Sequence, residues 1–532
     1  MDKRTIIAVL LITLLFIAYT MLFRKPKQQE KDVVQKEEEV VEKQEMEKVK
    51  EKVEEKVKEK IVELPTAKPD AEKIITVRTN LYEAKFSTAG ATLKSMQLLE
   101  YPGKEGKPVE LIPEGSSPLS LVLFEMENKL NLGEFPTVCE KDSINLNAGL
   151  KDSLVFYYTK NNVPFLKKVF VFVPNSYVIG LHLESLNKTP YSIKLAFDSG
   201  LASTEKDERD EMAYTSFVTM LGDHFQRMNL KNVKEEKSSI EGTVNWAGVT
   251  SKYFLFFILS EDNVIKKVSQ WKIEKKRIGF SVSTKEMEKG SFSLYFGPID
   301  YYKLKEMGKG LERSVYFGWK WIAPISRVIF FTFIGIHKVI PNYGVVIIVF
   351  STIMMVVFFP LTMRSHSSMR RMQRLQPKME ELRKRYKDDS QRMNKEIMKL
   401  YSQHKVNPVG GCLPLLFQMP VFFALYAVLR STIELRRAPF MLWIQDLSMK
   451  DPYFILPILM GVAMFIQQKF TVTDPRQKAM MYFMPIFLVF IFTRLPSGIV
   501  LYWLVYNLLS ILQQYIIRRG EKEETVKKTE EV

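Results

Sequence analysis

The sequence is short of cysteine, short of histidine and empty of charge at the centre of its longest apolar runs. Only Cys139 and Cys412 are present, and the topology reasoned below sets them on opposite sides of a membrane, so no intramolecular disulfide is available. Stability must then come from burial. The five histidines, His182, His224, His337, His366 and His404, are spread over three environments and assemble no metal centre. No Asp, Glu, Lys or His stands at mid-depth in the apolar runs of the last 200 residues, where a coupled transporter normally displays such groups.

Of the 532 residues, 46% are hydrophobic and 26% charged, but the apolar ones are concentrated in the first 23 positions and the last 200. That distribution describes a membrane protein with a soluble insert. The net charge of +17 resides in clusters against the apolar runs, which suits cytoplasmic loops and anionic lipid and argues against direct DNA binding. Residues 5–23 are about long enough to cross a bilayer. Lys3 and Arg4 would also suit a signal peptide, but no small-residue cleavage pattern follows Phe23, and a retained anchor is the better reading.

Residues 27–63 are nearly all Lys, Glu, Gln and Val and bury too little to fold alone, so they read as a solvated, partly helical tether. From about 70 to 300 come short alternating runs such as Lys168-Val169-Phe170-Val171-Phe172, broken by Gly, Pro and Asn, which predict a β-sandwich. Residues 311–341 are apolar but interrupted by Arg313, Lys320, Arg327 and Lys338. Arg327 at mid-crossing would cost about 2.5 to 3.5 kcal/mol, so this stretch reads as an interfacial amphipathic helix anchored by Trp319 and Trp321.

Five further spans are predicted at about 343–362, 411–435, 453–470, 479–495 and 497–517. Thirteen Lys and Arg between Arg364 and Lys405 place that loop in the cytoplasm, and Lys469, Arg476 and Lys478, with the tail from Arg518, agree. The fold class is thus a polytopic α-helical membrane protein of six transmembrane helices, both ends cytoplasmic, with a large β-sandwich on the outer side, which the family resemblance given below implies is periplasmic. Its parts are an anchor at 1–24, a charged tether at 25–69, the β domain at 70–305, the interfacial helix at 306–342, a core at 343–517 and a basic tail at 518–532. Within 364–405, Met369, Met372, Met379, Leu382 and Tyr386, then Met393, Ile397 and Leu400, make two apolar stripes around Asp388-Asp389-Ser390, a helical hairpin. Its basic outer faces suit ribosome, targeting factors or anionic lipid.

The polar residues inside the spans are mild: Ser351 and Thr352, Gln418, Tyr502 and Asn507. Each alone has an ordinary role, bonding back to its own helix or bridging neighbours. Together Ser351, Gln418 and Asn507 run from the cytoplasmic side to mid-depth, which would suit a wet recess open inward.

Phe359-Pro360-Leu361-Thr362, Asn407-Pro408-Val409-Gly410-Gly411-Cys412 with Gln418-Met419-Pro420, Ala438-Pro439-Phe440-Met441-Leu442-Trp443-Ile444, Leu456 to Gly461 and Pro496-Ser497-Gly498 together resemble the YidC/Oxa/Alb family of membrane protein insertases, in its bacterial form with a large periplasmic domain. The resemblance implies an inner-membrane chaperone and insertase, with a supersandwich-like outer domain and a five-helix core, working alone or with the Sec translocon on nascent membrane proteins. It implies a hydrophilic groove lined by Ser351, Gln418, Tyr502 and Trp503, to which Asn507 adds, and an apolar slide past Phe422, Met460 and Ile491. Ribosome or signal-recognition machinery would meet the basic hairpin and tail. Lowering the hydration cost of a polar loop needs no catalytic residue, metal or cofactor, so the protein is not expected to be an enzyme. One departure is Met355, where the family usually carries Arg; Arg430, near the outer end of its span, is a possible substitute charge, although reaching the headgroups is the simpler role.

A transporter or channel, and an envelope scaffold acting through the β domain, are the competing readings. Protease added to intact spheroplasts is expected to cut the β domain and spare the hairpin around Asp388; digestion of the hairpin first would overturn the topology.

Overall fold

The computed structural model describes residues 72–125, 128–146, 150–404, 406, 413–471 and 478–530. The expected anchor at 1–24, the tether at 25–69 and Cys412 lie outside the described residues.

Among the described residues, the strands between Ile74 and Pro298 form sheets of five, nine and six. Pairing is antiparallel except where Ile74–Arg78 runs parallel to Ser143–Asn145. Strand Val178–Ser185 alternates half-buried and buried side chains along its length, the period-two signature of a strand with one face on the core. Phe254–Ser260 is buried on both faces because it sits inside the nine-stranded sheet, between Val244–Thr250 and Lys289–Pro298. The Phe256 ring lies 4.3 Å from Phe296 in its own sheet and 4.1 Å from Phe197 of the six-stranded sheet, so aromatic contact joins the two layers. Gly248 lets the strands close up: a Cβ there would lie 2.3 Å from the Phe256 carbonyl oxygen.

Lys168 is fully buried in strand Val163–Phe172, where its Nζ donates to the carbonyls of Ala91 at 2.8 Å and Leu119 at 2.7 Å. Burial pushes its ammonium down to about 7.

Among the described residues the α-helices are α1 (Glu208–Met212) and α2 (Tyr301–Glu306), then α3 (Ala323–His337), α4 (Tyr343–Arg374), α5 (Gln376–Arg385), α6 (Ser390–Gln403), α7 (Leu413–Ser431), α8 (Ile455–Thr471), α9 (Lys478–Phe492) and α10 (Ser497–Glu530). Helix α3 starts with Pro324 in its first turn and buries Ser326, Ile329, Phe330 and Phe333, one stripe at helical spacing, while Arg327 is exposed. At 15 residues it is about 22 Å long, too short to span about 30 Å of hydrocarbon.

Helix α4 and residues Ser497–Ile517 of α10 are long and apolar enough to cross a bilayer; the apolar parts of the other core helices, Leu416–Ser431, Ile455–Lys469 and Tyr482–Phe492, are shorter. Two boundaries differ from the sequence expectation. Helix α4 does not stop near 362 but continues through Pro360 to Arg374, carrying Met369 and Met372 with it, and α10 runs past 517 to Glu530. Charged residues after an apolar run end a span without ending a helix, because Lys, Arg and Glu are good helix formers.

Asp389 caps α6 by accepting the Arg392 amide at 2.9 Å. Leu375, Met379, Leu400 and Val406 then bury a small core of their own with Met372, Leu382 and Tyr401, sealing the hairpin. A Cβ on Gly344, at the start of α4, would meet the Phe440 ring at 1.9 Å, and one on Gly498, at the start of α10, would lie 3.2 Å from Leu429 near the end of α7. The starts of α4 and α10 therefore share an end with the close of α7, and the hairpin lies at the other end.

A lysine with a lowered folded-state pKa leaves the unfolded chain holding more protons above about pH 7, so stability rises with pH from 7 toward the ordinary lysine value near 10.5. Replacing Lys168 by Met is expected to remove that slope, at most about 1.4 kcal/mol per pH unit. Unfolding followed through the β-sheet circular dichroism signal of both proteins between pH 7 and 10 checks it; an unchanged slope would show that Lys168 stays charged in its carbonyl pair.

Candidate functional site

Ser351 of α4, Gln418 of α7, and Tyr502 and Asn507 of α10 are 0%, 4%, 0% and 4% exposed, so the predicted polar residues lie within the helical bundle. Gln418 and Tyr502 meet directly, the amide Nε2 donating to the phenol oxygen, while Gln418 Oε1 is buried without a partner among the described residues. Ser351 donates back to the Ile347 carbonyl at 2.7 Å and Asn507 to the Trp503 carbonyl at 2.7 Å. These two use local acceptors, as Ser and Asn in apolar helices do.

Sequence reasoning missed the rest of the polar seam. Ser510, Gln513 and Gln514 are also buried on α10, where Ser510 accepts from Gln467 of α8 at 2.8 Å and Gln513 donates to Thr362 of α4 at 3.2 Å. The spacing 502, 506, 510, 513 keeps one helix face, and that periodicity was the available signal. From Tyr502 to Gln513 the seam covers about 16 Å, half the hydrocarbon thickness, on the side toward the hairpin. Rings close it: Phe350 and Tyr506 lie 6.0 and 6.1 Å from Tyr502, and Trp503 packs edge-on against Phe422 at 5.6 Å. At these positions the seam is enclosed by side chains, whereas the sequence suggested a recess open inward.

Arg430 is placed elsewhere. As a charge for the recess it is corrected by the structure: it lies two turns beyond Phe422 on α7, where its guanidinium pairs with Asp210 and its other nitrogen donates to the Tyr426 hydroxyl. Asp210 lies in α1 of the β domain and also takes Lys252 Nζ at 2.8 Å. Six residues on from Arg430, Arg436 is 2% exposed at its side chain, with Nε 2.8 Å from Glu205 and Nη2 donating to the Pro102 carbonyl at 3.0 Å. The loop after α7 is thus locked to the β domain. Trp443 extends the lock by donating to Asp451 at 3.1 Å, whose other oxygen accepts the Leu456 amide at the start of α8.

Residues 335–525 match the family described as 60Kd inner membrane protein, and residues 74–332 match the YidC periplasmic domain. A protein of Geotalea uraniireducens named membrane protein insertase YidC is 37% identical over 544 residues, covering 98% of this chain and 99% of its own. The chain belongs to the YidC family. Relatives with the same printed name in Geobacter metallireducens and Syntrophus aciditrophicus are 35% and 37% identical, covering 98% and 86% of this chain and 99% and 87% of their own.

Among the residues that the YidC resemblance assigns to a substrate path, Phe422 is half-buried and Ile491 is 37% exposed, whereas Met460 is fully buried. The neighbour Gly461 explains that burial: a Cβ on it would lie 2.3 Å from Val489 Cγ2, so α8 and α9 approach closely there. Met355, in place of the usual YidC arginine, is half-buried one turn beyond Ser351.

Removing one partner of a buried ion pair strands the other charge. Glu205→Gln or Arg436→Met alone is expected to cost about 3–5 kcal/mol, and the double variant to recover much of that loss. A double-mutant cycle on unfolding of the purified protein measures the coupling; additive losses would show that the pair is screened by water.

Proposed function

We propose that this chain inserts hydrophobic segments of new proteins into the inner membrane; its full-length relatives are named membrane protein insertases. The observation that carries the reading is the polar seam of Gln418, Tyr502, Ser510 and Gln513 in an otherwise apolar bundle, stopping about halfway across. A polar segment crossing a bilayer loses hydrogen bonds to water, and each amide without a partner costs several kcal/mol. Amide and hydroxyl groups that can trade their own bonds for bonds to the substrate lower that cost. The partnerless Gln418 oxygen is already poised to accept.

Beside the seam, α9 presents Ile486, Phe487, Phe490 and Ile491 and α8 presents Ile458, Leu459 and Val462 as exposed apolar surface, along which a substrate's hydrophobic segment can partition toward lipid. Our reading keeps six spans with both termini cytoplasmic, the β domain periplasmic and α3 at the interface. It gives the basic hairpin and tail to ribosome or signal-recognition machinery and leaves room for the Sec translocon as a partner. Binding and release through non-covalent contacts call for no catalytic residue and no cofactor. The chemistry of the seam favours insertion over a channel or scaffold, since hydrogen-bonding groups without charge suit polypeptide better than ions.

Proteoliposomes containing the purified protein, offered a small membrane protein with a short polar tail, test this. Gln418→Leu combined with Tyr502→Phe keeps the packing and removes the exchangeable bond; insertion is expected to fall about tenfold, a loss of about 1.4 kcal/mol. Unchanged insertion would remove the seam from the mechanism, and solute flux in the absence of substrate would favour a channel.

A further inference from the structure

A cavity of about 450 Å³ opens where the β domain meets the helices. Arg227 and Asp210 line it from the β domain, Phe422, Tyr426 and Arg430 from α7, and Trp319 from the segment that leads into α3. Its charges do not balance. Asp210 is shared between Arg430 and Lys252, so a single carboxylate answers two cations. Arg227 pairs with no carboxylate among the described residues: one nitrogen donates to the Ser314 carbonyl, its Nε is buried without a partner, and its guanidinium lies 5.5 Å from the Tyr316 ring centroid. Burial pulls this guanidinium down to about 10, which leaves it charged at neutral pH.

The cavity also has a polarity gradient. Arg430 and Phe422 are eight residues apart on α7, about 12 Å along the axis, so the cationic rim gives way to an aromatic floor at a depth belonging to the bilayer. Trp319 and Trp321, 57% and 61% exposed, mark the headgroup level beside it. We propose that this cavity is a binding site for an anionic phospholipid from the leaflet on the β-domain side, its phosphate drawing on Arg227 and Arg430 and the start of an acyl chain lying against Tyr426 and Phe422. Guanidinium forks match phosphate oxygens in geometry as well as charge. An apolar polypeptide segment would fill the floor and leave Arg227 unanswered. A lipid held there bridges the β domain to α7 and makes their junction sensitive to membrane composition. The site is distinct from the polar seam, which runs from Tyr502 toward the hairpin, although Phe422 borders both.

The test uses the full-length protein in mixed micelles with phosphatidylglycerol or phosphatidylcholine, followed by delipidation and mass spectrometry of the lipid retained. Phosphatidylglycerol is expected to be retained at about one per chain and preferred about tenfold over phosphatidylcholine. Arg227→Gln should abolish the preference. Ala213→Trp, at an exposed rim position, should lower retention of both lipids without disturbing the buried ion pairs, and circular dichroism verifies that each variant is folded. Equal retention of the two lipids by the unaltered protein, or undiminished preference in Arg227→Gln, overturns the proposal. So does displacement of the lipid by millimolar glycerol phosphate, which would make this a site for free phosphate. A photocrosslinker at position 213 that captures an inserting polypeptide and no lipid also overturns it.

Discussion

Asp210 and Glu205 of the β domain hold Arg430 and Arg436 at the close of α7 and just after it, and the placement of most other parts follows from these two ion pairs. Buried ion pairs contribute little net stability, because desolvation offsets most of the attraction, but they penalise any arrangement that separates them. Here they fix one end of α7 against the β domain. The loop from Ala438 to Asp451 is then held by the Trp443–Asp451 bond, and the start of α4 docks on Phe440 through Gly344. With those ends fixed, Gln418 sits at the depth of Tyr502.

The helical region obeys a second constraint. Side chains facing lipid must be apolar, so polar groups with a functional use have to face one another. Helix α10 meets this by placing Tyr502, Tyr506, Ser510 and Gln513 on a single face against α4, α7 and α8, while Leu508, Leu512 and Tyr515 point outward. Hydrogen bonds between neutral groups in such a setting are modest, roughly 0.6 kcal/mol on average. They are therefore exchangeable, which an ionised pair at the same depth would not be.

Local patterns in the sequence revealed much of this architecture. Alternation in Val178 to Ser185 follows from neighbours within a few positions, and the structure places it accordingly; of the hairpin stripes, Met379, Leu382 and Leu400 meet in its small core, while Met369 and Met372 ride on α4. The family motifs and the relatives agree on what kind of protein this is. What remained hidden depends on distant partners. Nothing near Arg430 indicates that an aspartate 220 residues earlier will neutralise it, and so it offered itself as a substitute for the arginine that the family carries where this chain has Met355. Ser510 and Gln513 were legible as a continuation of the 502 to 507 face, but they lie among residues that otherwise read as the end of a span. Met460 illustrates a third limit, since burial at that point is set by the closeness of Gly461 to Val489, a helix-to-helix distance that no single-chain pattern contains.

Helix α4 is continuous for 32 residues, about 48 Å, from its dock on Phe440 to the hairpin, and its one interior proline is Pro360. Proline has no amide hydrogen to donate to the preceding turn, so the helix is most compliant there. That makes α4 a lever with a fulcrum at Pro360: a load on the basic hairpin swings the shorter arm, Leu361 to Arg374, while the Gly344 end stays fixed. Thr362, just past the fulcrum, is the acceptor of the Gln513 bond. Mechanical work done on the hairpin therefore reaches the polar seam first at its hairpin end, unfastening it from the bottom upward while the Gln418–Tyr502 contact above the fulcrum still holds.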